Sequence, residues 1–220
     1  MKLSSTLLAL LPAALAAPIS STEDVVLDFS QVHKRQYTGV TTENQLTDGT
    51  PCREYTIIFA RGTTEAGNVG SLTGPPFFQA LANQVGASNV AVQGVAYAAD
   101  VQGFLVGGDP TGSTTMKNLV VQAETQCPNT KVVMSGYSQG GQLVHNAAAQ
   151  LTAAQAAKVS SVVIFGDPDN GKPVGSIPSS KVLIICHVGD NICQGGDLIL
   201  TPHLTYSQNA QQAASFVASH

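Results

Sequence analysis

The sequence predicts a doubly wound, three-layer α/β sandwich around a five-stranded parallel sheet, and three observations predict it. Five short apolar runs, residues 55–60, 90–95, 131–135, 161–165 and 181–186, are each bounded by Gly, Pro or polar residues. They are rich in β-branched residues and lack the in-out alternation of a half-exposed strand, which suits a parallel sheet covered on both faces. Stretches with a helical pattern, 75–85, 113–126, 140–151 and 208–219, lie between and after them, so strand and helix alternate with right-handed crossovers.

Taken in order, the run at 55–60 leads into an Arg61-Gly62 loop and the first helix follows at 75–85. The run at 90–95 is separated from 131–135 by the helix at 113–126. Val132, Val133 and Met134 then lead through a glycine-flanked turn into the helix that contains Leu143 to Leu151. The last two runs, 161–165 and 181–186, precede loops rich in Asp and Gly, and the chain closes on the helix at 208–219. No linker or repeat divides this stretch. In such folds the loops leaving the carboxyl ends of the strands carry the chemistry.

Composition narrows the function. The 220 residues are 43% apolar and 11% charged, with no Trp and a formal charge of −4, enough apolar surface for one core and too little positive charge to neutralise a run of phosphates. Nucleic-acid binding is therefore not expected. Met1 and Lys2, an apolar stretch from Leu3 to Leu15 and an Ala14-Leu15-Ala16 cleavage pattern read as a secretory signal over residues 1–16. That stretch is shorter than the roughly 20 residues needed to span a bilayer, and Pro12 interrupts it, so stable membrane insertion is not expected. Residues 17–35, ending in the dibasic Lys34-Arg35, read as a propeptide, leaving a catalytic domain at 36–220 that keeps a charge of −4.

Four cysteines in a chain bound for an oxidising compartment imply two disulfides. Cys186 and Cys193 bracket one short loop and are expected to pair, leaving Cys52 with Cys127. A metal site built from Cys186, His187 and Cys193 lacks the paired-ligand spacing of zinc sites, and neither a metal nor a cofactor is expected.

The loop after the third run reads Gly136-Tyr137-Ser138-Gln139-Gly140, a G-x-S-x-G turn between a strand and a helix. In this nucleophile elbow the serine adopts strained backbone angles, and side chains at the flanking glycines would clash with strand or helix. Its partners should follow in the order acid, then histidine. Of the later histidines, His145 lies in the elbow helix, His220 ends the chain and His187 directly follows the last strand. His203, in a loop entering the final helix, is the favoured base. Asp167, Asp169, Asp190 and Asp197 are candidate acids. Asp190, inside the small Cys186–Cys193 ring, is favoured because a pinned loop holds a carboxylate at low entropic cost; Asp167 fits an ordinary turn as well as a cleft. The oxyanion that forms on the substrate needs two N–H donors, expected from Gln139 and Thr63. The stretch from Gly166 to Lys172 nearly matches a phosphate-binding loop, but Pro173 stands where a hydroxyl should hold magnesium.

Phe59-Ala60-Arg61-Gly62-Thr63-Thr64-Glu65 with Gly67-Asn68, the elbow itself, Cys186-x3-Asp190-x2-Cys193 and Pro202-His203-Leu204 together resemble the fungal cutinases from about Cys52 to the end. The resemblance implies Ser138, Asp190 and His203 as a catalytic triad, Thr63 and Gln139 as the oxyanion hole, the same two disulfides and a lidless α/β-hydrolase fold. The family is also similar to the acetylxylan esterases. The chain departs from the usual cutinase pattern at Asp167-Pro168, where a tyrosine commonly follows Phe-Gly, and at Gly107-Gly108-Asp109-Pro110.

The implied function is a secreted, monomeric serine esterase acting on an insoluble polyester such as cutin or on small esters, with activity falling as pH drops through roughly 6 to 7 because the base must be neutral. An acetylxylan or other short-chain esterase is the alternative, although a sugar-binding site would be expected to offer aromatic platforms. A binding protein on the same fold would lack the triad, and a cytosolic thioesterase would need the signal to be false. With no insert long enough for a lid, the cleft is expected to be open, rimmed by Leu72 and Phe77 on one side and Leu198-Ile199-Leu200 on the other.

Overall fold

A computed structural model describes residues 36–220; the expected signal (1–16) and propeptide (17–35) lie outside the described residues. The five apolar runs form β1 (Tyr55–Ala60), β2 (Val90–Gly94), β3 (Lys131–Tyr137), β4 (Val159–Phe165) and β5 (Val182–Ile185). All pair in parallel, in the order β2-β1-β3-β4-β5. The chain passes outward from β1 to β2, then returns past β1 to build the other half of the sheet. β1 and β3 therefore flank the reversal point, with Ala60 in register with Gly136, and the loops leaving them diverge to open a crevice.

Helices cover both faces. α1 (Gly74–Val85) and α6 (Ala210–Ala218) pack on one, over a cluster that includes Ile57, Phe59, Phe77, Phe78 and Val163. α3 (Pro110–Gln126) and α4 (Gln139–Ala149) pack on the other, over Ile58, Met134, Leu143, Val144 and Ile164. Neighbours along one strand, such as Ile57 and Ile58, thus enter opposite clusters, which is why the strands read as unbroken apolar runs.

Two short helices lie outside the expected pattern. α2 (Val101–Leu105) begins at Asp100, whose carboxylate accepts the Gly103 N–H at 2.7 Å. α5 (Ala153–Lys158) begins with a capping box between Thr152 and Gln155. α3 starts at Pro110, ahead of the expected residue 113, because Asp109 caps it by accepting the Gly112 N–H at 2.6 Å. The edge of β2 is covered by the segment around Glu43 to Leu46: Gln45 N–H donates to the Val92 carbonyl and Gly94 N–H to the Glu43 carbonyl. Both expected disulfides are formed, Cys52–Cys127 and Cys186–Cys193.

Candidate active site

Ser138 stands between β3 and α4 with φ 56° and ψ −123°, in the left-handed region that a non-glycine residue avoids. The turn is held by the Ser138 N–H donating to the Phe165 carbonyl at 3.0 Å. Its tightness explains both glycines. A Cβ on Gly136 would lie 2.2 Å from the Gly140 carbonyl oxygen, and one on Gly140 would lie 2.0 Å from the Ala60 carbonyl oxygen.

His203 and Asp190 meet although 13 residues separate them. His203 sits in a one-turn 3-10 helix, Thr201–Leu204, and Asp190 in the loop that Cys186–Cys193 closes. The His203 Nδ1 is 2.9 Å from Asp190 Oδ2, with both side chains buried. A carboxylate can only accept, so Nδ1 carries a proton, and in the neutral imidazole Nε2 holds the lone pair. Nε2 is buried and has no hydrogen-bond partner among the described residues. Asp190 is fixed further by the Ile192 N–H at 3.0 Å and by the Tyr206 hydroxyl, which donates to Oδ2. The Tyr137 ring stacks on the imidazole at 5.0 Å, and its hydroxyl donates to the His203 carbonyl at 2.8 Å. Burial raises the pKa of both phenols well above their usual range, so they remain donors at any working pH.

Thr63 and Gln139 also come together. The Gln139 side-chain amide donates to Thr63 Oγ1 at 2.9 Å and to the Asp100 carbonyl at 2.8 Å. The adjoining Thr64 N–H donates to the Ala99 carbonyl at 2.7 Å. Glu65, part of the Arg61–Glu65 motif, lines the same cleft as Ser138 and His203 and has a role that its sequence position alone does not assign. Its carboxylate accepts N–H groups from Gly62 at 2.8 Å, Ser71 at 2.9 Å and Leu72 at 3.0 Å, tying the start of the β1–α1 loop to its end. An acid inside a Gly- and Thr-rich loop was the available signal.

Ser138, His203 and Thr63 line one cleft of about 630 Å³. Its apolar wall comes from Leu72, Val101, Phe104, Leu105, Ile199 and Leu204. The rim expectation needs one correction. Leu72 and Leu198 to Leu200 are exposed as expected, but Phe77 is fully buried, its ring packed against Phe78 and Phe165. It lies on the face of α1 that turns to the sheet. Residues of α2 complete the rim instead, with Val101 and Leu105 exposed.

Of the other candidates, Asp197 also lines this cleft, and the rest lie elsewhere. His187 stacks on Tyr206 at 4.2 Å and its ring nitrogens meet the Pro202 carbonyl and Asn209 Oδ1. Asp167, which fitted a turn or a cleft, pairs with His145 at 2.9 Å. The stretch resembling a phosphate loop is followed by turns and not by a helix, so it offers no helix N-terminus to a phosphate.

Residues 51–220 match the family model for Cutinase. The chain belongs to the cutinase family and is a carboxylic ester hydrolase. A cutinase from Monilinia fructicola is 61% identical over 166 residues, which cover 76% of this chain and 82% of the relative. One from Pyrenopeziza brassicae is 58% identical over 168 residues, covering 76% and 83%. Among solved structures, a Trichoderma reesei cutinase in complex with a phosphonate inhibitor superposes with a TM-score of 0.77 at 50% identity, covering 82% of this cutinase-family chain and 80% of the other. The catalytic core of a Trichoderma reesei acetyl xylan esterase shares the fold at 23% identity and a TM-score of 0.61, over 77% of this chain and 99% of that one.

Proposed function

We propose that the protein is a secreted serine esterase that hydrolyses cutin polyester and short- to medium-chain carboxylic esters through Ser138, His203 and Asp190. The observation that carries this reading is the His203 imidazole, bonded to Asp190 through Nδ1 and unpaired at Nε2, in the same cleft as the left-handed Ser138. Ser138 Oγ attacks the ester carbonyl carbon while Nε2 takes its proton. The negative charge on the carbonyl oxygen meets the N–H groups of Thr63 and Gln139 and the Thr63 hydroxyl. The tetrahedral intermediate collapses, Nε2 returns the proton to the departing alcohol, and the acyl group stays on Ser138. Water, deprotonated by the same nitrogen, then releases the acid.

The apolar wall supports an acyl or polyester substrate over a sugar acetate, since no aromatic platform lines the cleft apart from Phe104 and the Tyr137 that packs on His203. The two disulfides agree with secretion. The test is hydrolysis of nitrophenyl esters from acetyl to palmitoyl, with cutin and acetylated xylan alongside and Ser138→Ala as control. A maximum near butyryl with release of cutin monomers is expected. Activity confined to acetyl esters and xylan would move the protein to the acetyl esterases, and an active Ser138→Ala would refute the mechanism.

A further inference from the structure

Behind the elbow helix lies a second buried histidine–carboxylate pair. His145, on α4, meets Asp167 Oδ2 through Nε2 at 2.9 Å, and its Nδ1 lies 3.3 Å from the Pro173 carbonyl. Asp167 is fully buried in the loop that leaves β4, and its Oδ1 accepts the Asp169 N–H at 3.0 Å. The approach of that carboxylate to α4 depends on Gly141, where a Cβ would lie 3.1 Å from Oδ1 and 2.7 Å from Ile164 Cγ2.

Gly166, the residue before Asp167, touches the first pair. It has φ +58°, donates its N–H to the Ile185 carbonyl, and a Cβ there would lie 2.8 Å from His203 Cε1 and 2.9 Å from His203 Nδ1. The Gly166 backbone is therefore a wall against the edge of the imidazole. α4 carries Ser138 at its start and, through His145 and Asp167, grips the loop that forms this wall.

Resting on the reading of His203 as general base, we propose that His145 and Asp167 are positioning residues for His203: the pair fixes the Gly166 wall and neutralises a carboxylate that would otherwise stand uncompensated one residue from it. The charged or titratable groups facing His145 are Asp167 and Asp169, with Lys172 bound to Asp169 at 2.6 Å. Those facing His203 are Asp190, Tyr137 and Tyr206, with Glu65 acting on Tyr137 and His187 stacked behind Tyr206. Burial pulls the His145 pKa down, but the Asp167 hydrogen bond and the charges of Asp167 and Asp169 outweigh it, and the net shift is upward. The imidazolium is thus favoured beside the carboxylate.

The experiment compares the pH dependence of kcat/KM on a soluble nitrophenyl butyrate for the wild type, His145→Gln, Asp167→Asn and the double variant, with thermal denaturation to establish folding. His145→Gln leaves the carboxylate unneutralised and is expected to raise the acid-limb midpoint by roughly half a unit or more and to lower kcat about tenfold with little change in KM. Asp167→Asn removes the charge and is expected to lower the midpoint. The double variant, with two amides able to hydrogen-bond, is expected to recover part of kcat without a raised midpoint. Unchanged midpoints and kcat in the folded single variants overturn the proposal. Should His145→Gln fail to fold, Asp167→Asn decides it, and a wild-type profile in that folded variant overturns it. His203→Gln and Ser138→Ala run in parallel: activity surviving in those removes the parent reading, whereas their inactivity with unshifted His145 and Asp167 variants removes only this proposal.

Discussion

The side-chain amide of Gln139 donates to the hydroxyl of Thr63 at 2.9 Å, so the two residues proposed to receive the oxyanion are tied to each other across the β1 and β3 loops. Gln139 is itself anchored on the Asp100 carbonyl, at the start of α2. The donors are thus set before substrate arrives, which is the condition for electrostatic stabilisation without reorganisation.

Thr63→Val keeps the shape and the backbone N–H but deletes the hydroxyl and orphans one Gln139 donor. A fall in kcat of about 10- to 100-fold is expected, with KM nearly unchanged because the interaction strengthens as charge develops. Steady-state kinetics on nitrophenyl butyrate would measure it. A change confined to KM would place Thr63 in ground-state binding.

The two disulfides are expected to separate stability from activity. Cys52–Cys127 spans a sequence separation of 75 and Cys186–Cys193 one of 7. Loop-closure entropy assigns about 4.5 kcal/mol to the first and about 2.4 kcal/mol to the second. Yet the short ring holds Asp190, and Cys193 Sγ lies 3.6 Å from its Oδ2. Replacing Cys52 and Cys127 by serine should lower Tm the more and leave the activity of the folded fraction largely intact. Replacing Cys186 and Cys193 should lower Tm less and activity far more. Equal losses of activity in the two pairs would contradict this division.

His145 also makes stability depend on pH. Its folded-state pKa is raised above the ordinary 6.5, so the native state binds that proton more tightly than the unfolded chain does. The contribution is fully present below about 6.5 and is lost as pH rises through the higher native value. The Tm difference between wild type and His145→Gln should therefore be several degrees larger at pH 6 than at pH 9. Calorimetry at the two values tests the sign, and a difference that grows toward alkaline pH would reverse it.

The rim is expected to set chain-length preference. Leu105 and Ile199 are 61% and 56% exposed and both line the cleft. Burying a methylene contributes about 0.8 kcal/mol, so serine at both positions should cut kcat/KM for the octanoyl ester several-fold while leaving the acetyl ester nearly untouched. Equal effects on both esters would mean that the rim does not hold the acyl chain.

Much of this fold was legible because its strands are buried on both faces and so advertise themselves as unbroken Val and Ile runs. The elbow was legible because Gly136 and Gly140 are demanded by contacts of 2.2 and 2.0 Å that no other residue satisfies. α2 and α5 were not, since five and six residues give too little helical period to recognise. Their caps, Asp100 and the Thr152–Gln155 box, were the signals available. Phe77 was misplaced because an apolar side chain near a cleft can face either the core or the solvent, and only the rotation of α1 decides. The His145–Asp167 pair was invisible for a different reason: 22 residues and one strand separate its members, and only the sheet order brings them into contact.

The strap of residues from Glu43 to Leu46 along β2 has a consequence for behaviour in a crowd. A bare strand edge is a template for pairing with another molecule, and proteins that accumulate on an apolar surface meet one another at high local concentration. Here one margin of the sheet already spends hydrogen bonds on its own chain, and the other ends in β5, only four residues long. If the proposed polyester is its substrate, copies crowded on that surface would have little opportunity to pair edge to edge.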